Sequence, residues 1–136
     1  MVPIKLFPPS VLVGSALLFT LGCSSMTSPT VTVPAADVTI IKGASALGSA
    51  AFSPNPFSTS LTGANAGKVT WVNGDFTSTY SGTTGTSHHL VSDTGLWDSG
   101  VMGAAKVFSY TFTAAGSYAY HCTIHPSMTG TITITP

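Results

Sequence analysis

From Asp37 to the C-terminus the chain is written as short apolar segments, each closed by a cluster of turn residues. That rhythm restricts the fold more than any other feature. "DVTII" (37–41) runs into "KGASALGS". "AAFSPNPFSTSL" (50–61) carries Pro54 and Pro56, which suit an edge or a bend because proline donates no ladder hydrogen bond. "GKVTWVN" (67–73) alternates, with Val69, Trp71 and Asn73 opposite Thr70 and Val72. "SHHLVSD" (87–93), "KVFSYTF" (106–112), "YAYHC" (118–122) and "GTITIT" (130–135) continue the pattern. No amphipathic helical period follows residue 37, and no internal repeat is visible. Many short strands with regular turn signals predict an all-β sandwich or barrel. The polar stretch "GDFTSTYSGTTGTS" (74–87) reads as a mobile loop leading into two adjacent histidines.

The chain's 136 residues suffice for one such domain. Charge is scarce. The cations are Lys5, Lys42, Lys68 and Lys106, the anions Asp37, Asp75, Asp93 and Asp98, and the formal net charge is zero. There is no basic patch to neutralise phosphates, so nucleic acid is excluded as an expected partner.

The N-terminus, "MVPIKLFPPSVLVGSALLFTLGCSS", has one Lys ahead of an apolar run from Val11 to Leu21. The run is shorter than the ~20 residues a membrane-spanning helix needs and suits a signal peptide over residues 1–22. "TLGC" resembles the lipobox of bacterial lipoproteins, with Thr20 where Leu is usual, and this resemblance implies a lipid-modified Cys23 and membrane anchoring. The alternative is an ordinary signal peptide cut at Ser24, Ser25 or later. Either reading predicts an exported protein, periplasmic or on the cell surface. Residues 23–36, small, polar and Pro-containing, read as a linker, and 37–136 as the domain. With Cys23 so placed, Cys122 is expected to have no disulfide partner within the chain.

The densest chemistry lies in "YHCTIHPSMTG" (120–130), where Cys122, His125 and Met128 recur every third residue. On the strand ending at Cys122, Tyr118, Tyr120 and Cys122 share one face, while Ala119 and His121 take the other. Pro126 stops the strand and Gly130 permits a re-entry, so the loop between can wrap a point. A fourth donor from a neighbouring strand would be His88 or His89. Singly, each of these residues is an ordinary core or surface side chain. Jointly they suit copper: thiolate, two imidazoles and a weak thioether match a metal cycling between Cu(I) and Cu(II). Zinc gains little from Met, and hard cations would want carboxylates.

"GSYAYHCTIHPSMTGTITI" resembles the C-terminal segment of small cupredoxins of the plastocyanin and amicyanin type, and its two-residue gaps are closer to amicyanin. "AFSPNPFSTSL", "VTWVNGD" and "SHHLVSDTGLWDSG" resemble further cupredoxin segments, so the likeness covers residues 37–136. It implies a Greek-key β-sandwich of about eight strands with one type 1 copper. The family pattern places an apolar residue two after its histidine ligand and an acidic one five after. Leu90 and Asp93 fit a count from His88, which is therefore assigned over His89. The implied set is His88, Cys122 and His125, with Met128 axial. His121 is expected outside it, and Tyr118 as a tyrosine corner. Relatives reach the ligand histidine from the "W-x-N" strand in fewer residues, so 74–87 is an insertion expected near the metal end.

The resemblance implies a non-enzymatic monomer that passes single electrons between redox partner proteins. The His125 edge is the expected port, rimmed by Met102, Gly103 and Ala104. It also implies that reduced His125 takes a proton in mild acid, where a free imidazole titrates near about 6.5. Copper delivery without electron transfer is the alternative, and a metal-free surface module a further one. Four histidines are too few for a trinuclear cluster beside a type 1 site.

Overall fold

A computed structural model describes residues 31–136. The proposed signal peptide, Cys23 and most of the linker lie outside the described residues. Eleven strands are present among them, not about eight. One sheet has the order β2 (Phe52–Ser53), β1 (Val38–Ile40), β4 (Lys68–Asn73), β9 (Val107–Thr111). The other has the order β3 (Phe57–Ser60), β11 (Thr129–Thr135), β10 (Gly116–Cys122), β7 (His88–Ser92), β8 (Asp98–Met102). A separate hairpin joins β5 (Phe76–Thr79) to β6 (Gly82–Gly85). The two larger sheets face each other as a β-sandwich, as expected.

Alternation sets which side chains meet between the sheets. β11 buries Gly130, Ile132 and Ile134 and leaves the residues between them less covered. β4 departs from strict alternation, burying Val72 as well as Val69, Trp71 and Asn73. It is central in its sheet, running parallel to β1 (Val38 opposite Trp71) and antiparallel to β9 (Trp71 opposite Phe108). The core is aromatic at its middle: Trp71 packs on Trp97 with ring centroids 4.9 Å apart and edge-on to Tyr120 at 5.8 Å. Such pairs add about 0.5–1.5 kcal/mol beyond the area they bury. Tyr118 Oη donates to the Ala114 carbonyl at 2.9 Å, the expected corner.

The prolines act as anticipated. Pro54 and Pro56 fall between β2, at the edge of one sheet, and β3, at the edge of the other. Gly130 has a different role from the one expected. It lies opposite Tyr120 in the β10–β11 ladder, and a Cβ there would come within 2.2 Å of the Tyr120 ring. Glycine is required so that the ring can lie over the backbone.

The 74–87 segment is largely a hairpin rather than a loop. Thr77 pairs with Thr84 and Ser78 with Thr83, although β6 reads only Gly-Thr-Thr-Gly. β8 was not expected at all, since Asp98-Ser99-Gly100 has no apolar rhythm. It is held by β7 across an irregularity between His89 and Val91, where Ser99 Oγ accepts the Leu90 N–H at 2.9 Å. No described helix is long and apolar enough to cross a membrane.

Candidate metal centre

Two neighbouring strands and one loop assemble the centre. β7 alternates so that His88, Leu90 and Ser92 face inward. β10 carries Tyr120 and Cys122 inward beside it, with Cys122 opposite Leu90. After Cys122 the backbone leaves the ladder and closes on itself. The Cys122 N–H donates to the Met128 carbonyl at 3.0 Å and the Met128 N–H to the His125 carbonyl at 2.9 Å. The Thr123 N–H donates to the His89 carbonyl at 2.8 Å, tying the loop to β7.

The donor atoms of His88, Cys122 and His125 lie within 4.8 Å of one another. Cys122 Sγ is 3.9 Å from His88 Nδ1 and 3.8 Å from His125 Nδ1. These separations test whether a metal fits. Bonds of about 2.3 Å to sulfur and about 2.05 Å to nitrogen, opened to about 120°, hold the two donors about 3.8 Å apart. Both sulfur–nitrogen spacings are therefore those of donors opened to about 120° around one ion, with Nδ1 as the donor of each ring. The set of one sulfur and two imidazoles suits a borderline-soft metal such as copper. Met128 is fully buried at the end of the same loop, in the core cluster that includes Cys122, Leu90 and Met102.

The groups polarise one another. Burial opposes a thiolate at Cys122, but the His88 ring, the N–H of His89 and the backbone and ring of His125 outweigh it and bring the thiol down to about 6. Burial likewise opposes a charged His88, yet Cys122 and then Asp75 hold its pKa above the usual range. The His89 N–H points at Sγ from 3.5 Å.

The other histidines fall outside. His89 turns its ring to Asp98 (Nε2–Oδ1 2.5 Å) and His121 to Asp93 (Nδ1–Oδ1 2.6 Å), both away from the core. The backbone of His89, not its side chain, ties β7 to the Cys loop. Met102 corrects an expectation: it is fully buried, not part of an exposed rim, while Ala104 and Ile124 are exposed.

Asp75 was missed. This buried carboxylate places Oδ2 3.1 Å from His88 Nε2 and accepts the Gly43 N–H on Oδ1 at 2.7 Å. Asn73 prepares it, accepting the Asp75 N–H at 2.9 Å and donating to the carbonyls of Thr86 and Met102 at 2.8 Å. A lone acid in the "VNGD" turn, inside a chain with only four, was the available signal.

A β-sandwich with a Cys–His–His cluster, buried except at His125, defines a copper-binding domain of the cupredoxin class. The model of the copper-binding proteins of the plastocyanin/azurin family matches residues 45–135, more than half of the chain, and the protein belongs to that family. Among solved structures, a purple cupredoxin from Nitrosopumilus maritimus is 25% identical, with a TM-score of 0.58, over 74% of this chain and 100% of that one. A reduced Cu(I) amicyanin variant is 25% identical over 61% of this chain and 71% of that one, with a TM-score of 0.46. A fern plastocyanin mutant is 18% identical over 72% and 98%, with a TM-score of 0.49. No curated protein matches the chain.

Proposed function

We propose that the protein carries single electrons outside the cytoplasm on one type 1 copper, held by His88, Cys122 and His125 with Met128 axial. The observation that carries this reading is the convergence of three donors within 4.8 Å, with both sulfur–nitrogen spacings those of ligands to one ion. The copper, when bound, supplies a one-electron couple. The chain supplies a fixed geometry. His88 and Cys122 are held by strands, and the loop bearing His125 and Met128 is latched at both ends by backbone hydrogen bonds. Little needs to rearrange when the charge of the centre changes.

Four protein donors leave no open position for substrate, which favours an electron carrier over an enzyme, by the distinction that separates closed from open metal sites. His88, Cys122 and Met128 are buried, and His125 is the only one of the four with partial exposure. Its ring is the port for exchange with redox partner proteins. Its chain neighbours Ile124 and Pro126 are exposed and uncharged, as is Ala104, expected at the same rim, so partner docking leans on apolar contact rather than steering. Export through residues 1–22, with lipid at Cys23, would place a monomeric carrier at a membrane surface.

Protein-film voltammetry on the copper-loaded chain tests the function. The expected result is fast, reversible one-electron reduction. Copper that binds at one per chain but is reduced slowly, or lost on reduction, would indicate delivery instead.

A further inference from the structure

Asp75 sits at the back of the centre in a setting that goes beyond filling space. It is 5% exposed, and no lysine among the described residues lies within ion-pairing distance of it. Its main chain is pinned twice, by Asn73 Oδ1 on its N–H and by the Thr86 N–H on its carbonyl at 2.9 Å. One carboxylate oxygen is occupied by the Gly43 N–H, where the chain takes a left-handed turn (φ 77). The other faces His88 Nε2. A buried carboxylate with one backbone partner and one imidazole has nowhere else to direct its charge.

The ring geometry determines what that charge does. His88 Nδ1 faces Cys122 Sγ, so Nε2 is the nitrogen left to carry the proton, and it donates to Asp75. Three consequences follow from elementary electrostatics. The tautomer is fixed with Nδ1 free to ligate. The ring cannot rotate without breaking a buried hydrogen bond. Negative charge reaches the metal through the imidazole, favouring Cu(II) over Cu(I).

We propose that Asp75 is a positioning residue that orients His88 and lowers the reduction potential of the copper centre. This rests on the electron-carrier reading above and adds to it a residue that sets the potential. Outer-shell carboxylates on ligating histidines typically change metal affinity 10- to 100-fold. If Asp75→Asn removes about tenfold of the preference for Cu(II) over Cu(I), the potential rises by about 59 mV for one electron.

The experiment compares wild-type and Asp75→Asn protein, both copper-loaded, by voltammetry and by competition titrations with Cu(II) and Cu(I) chelators. Asn is near-isosteric and can still accept from Gly43, so the turn is expected to survive. The expected result is a raised potential, with weaker Cu(II) binding and Cu(I) binding less affected. An unchanged potential, whatever happens to thermal stability, would make Asp75 a purely structural residue and overturn the proposal. A wild-type chain that takes up no copper would instead refute the carrier reading itself. If Asp75→Asn does not fold, proton and nitrogen resonances of the diamagnetic Cu(I) wild type decide. A His88 Nε2–H signal shifted downfield and protected from exchange supports the bond, and a rapidly exchanging one contradicts it.

Discussion

The two histidines of the candidate centre are held in opposite ways. His88 belongs to a strand in the body of a five-stranded sheet, is fully buried, and has its far nitrogen bonded to a buried carboxylate. His125 belongs to a short loop, is partly exposed, and is fixed mainly by the backbone bonds that close that loop. Both present Nδ1 to the same sulfur at nearly the same distance, 3.9 and 3.8 Å. The contrast separates two requirements of the electron carrier proposed above. One side must keep the geometry constant, and the sandwich does that through its core. The other must meet a partner, and only a residue at the surface can.

Mutations can break the comparison. The largest effect is expected where the two halves meet. Cys122→Ser should abolish the intense visible thiolate-to-copper band completely, and a variant that keeps the band would refute the site. Next, His88→Ala should abolish it while His89→Ala preserves it, because the His89 ring is engaged with Asp98 on the outer face. The opposite outcome in absorption spectra would exchange the roles of the two residues. A vacancy at His125 should be less severe. External imidazole can enter from solvent there, so added imidazole should restore a band to His125→Gly but not to His88→Gly.

A smaller effect concerns the metal-free chain. The Cys122 thiol, ordinarily near 9.0, is expected to titrate at about 6 in the thiolate absorbance. Above that pH the sulfur is ready for metal; below it a proton competes, so copper affinity should fall as pH drops through about 6. His88→Ala should move the titration upward more than His125→Ala, since His88 is the stronger favourable partner of the thiolate. The smallest effect is on the frame: Gly130→Ala, forcing a Cβ against the Tyr120 ring, should cost about 1–3 kcal/mol in denaturant unfolding with little change in the band.

The same contrast explains what could be read from the sequence. The loop half was legible because Cys122, His125 and Met128 are neighbours along the chain, and three-residue spacing carries their proximity. The inward face of β10 followed from simple alternation of Tyr118, Tyr120 and Cys122. His88 was preferred to His89 on the family pattern, with Leu90 two places on and Asp93 five, and the strand turns the two rings to opposite faces. Asp75 was not legible, although it lies only thirteen residues from His88. The β5–β6 hairpin lies between them, and after Phe76 its strands read only Thr, Ser and Gly, with no apolar alternation to announce them. β8 was hidden for the same reason, being held by pairing to β7 and by the Ser99 hydroxyl rather than by a buried stripe. Local rhythm reveals elements that bury side chains. It is silent about elements that exist because a neighbour's backbone needs partners.

If this cluster holds one copper through the Cys122 thiolate, the electronic and electron-spin-resonance spectra of the copper-loaded wild-type protein will carry the signature of that bond. One copper per chain, an intense visible band and the narrow copper hyperfine splitting of a thiolate site are the predicted result. A pale protein with wide hyperfine splitting, or no stoichiometric copper, would contradict it.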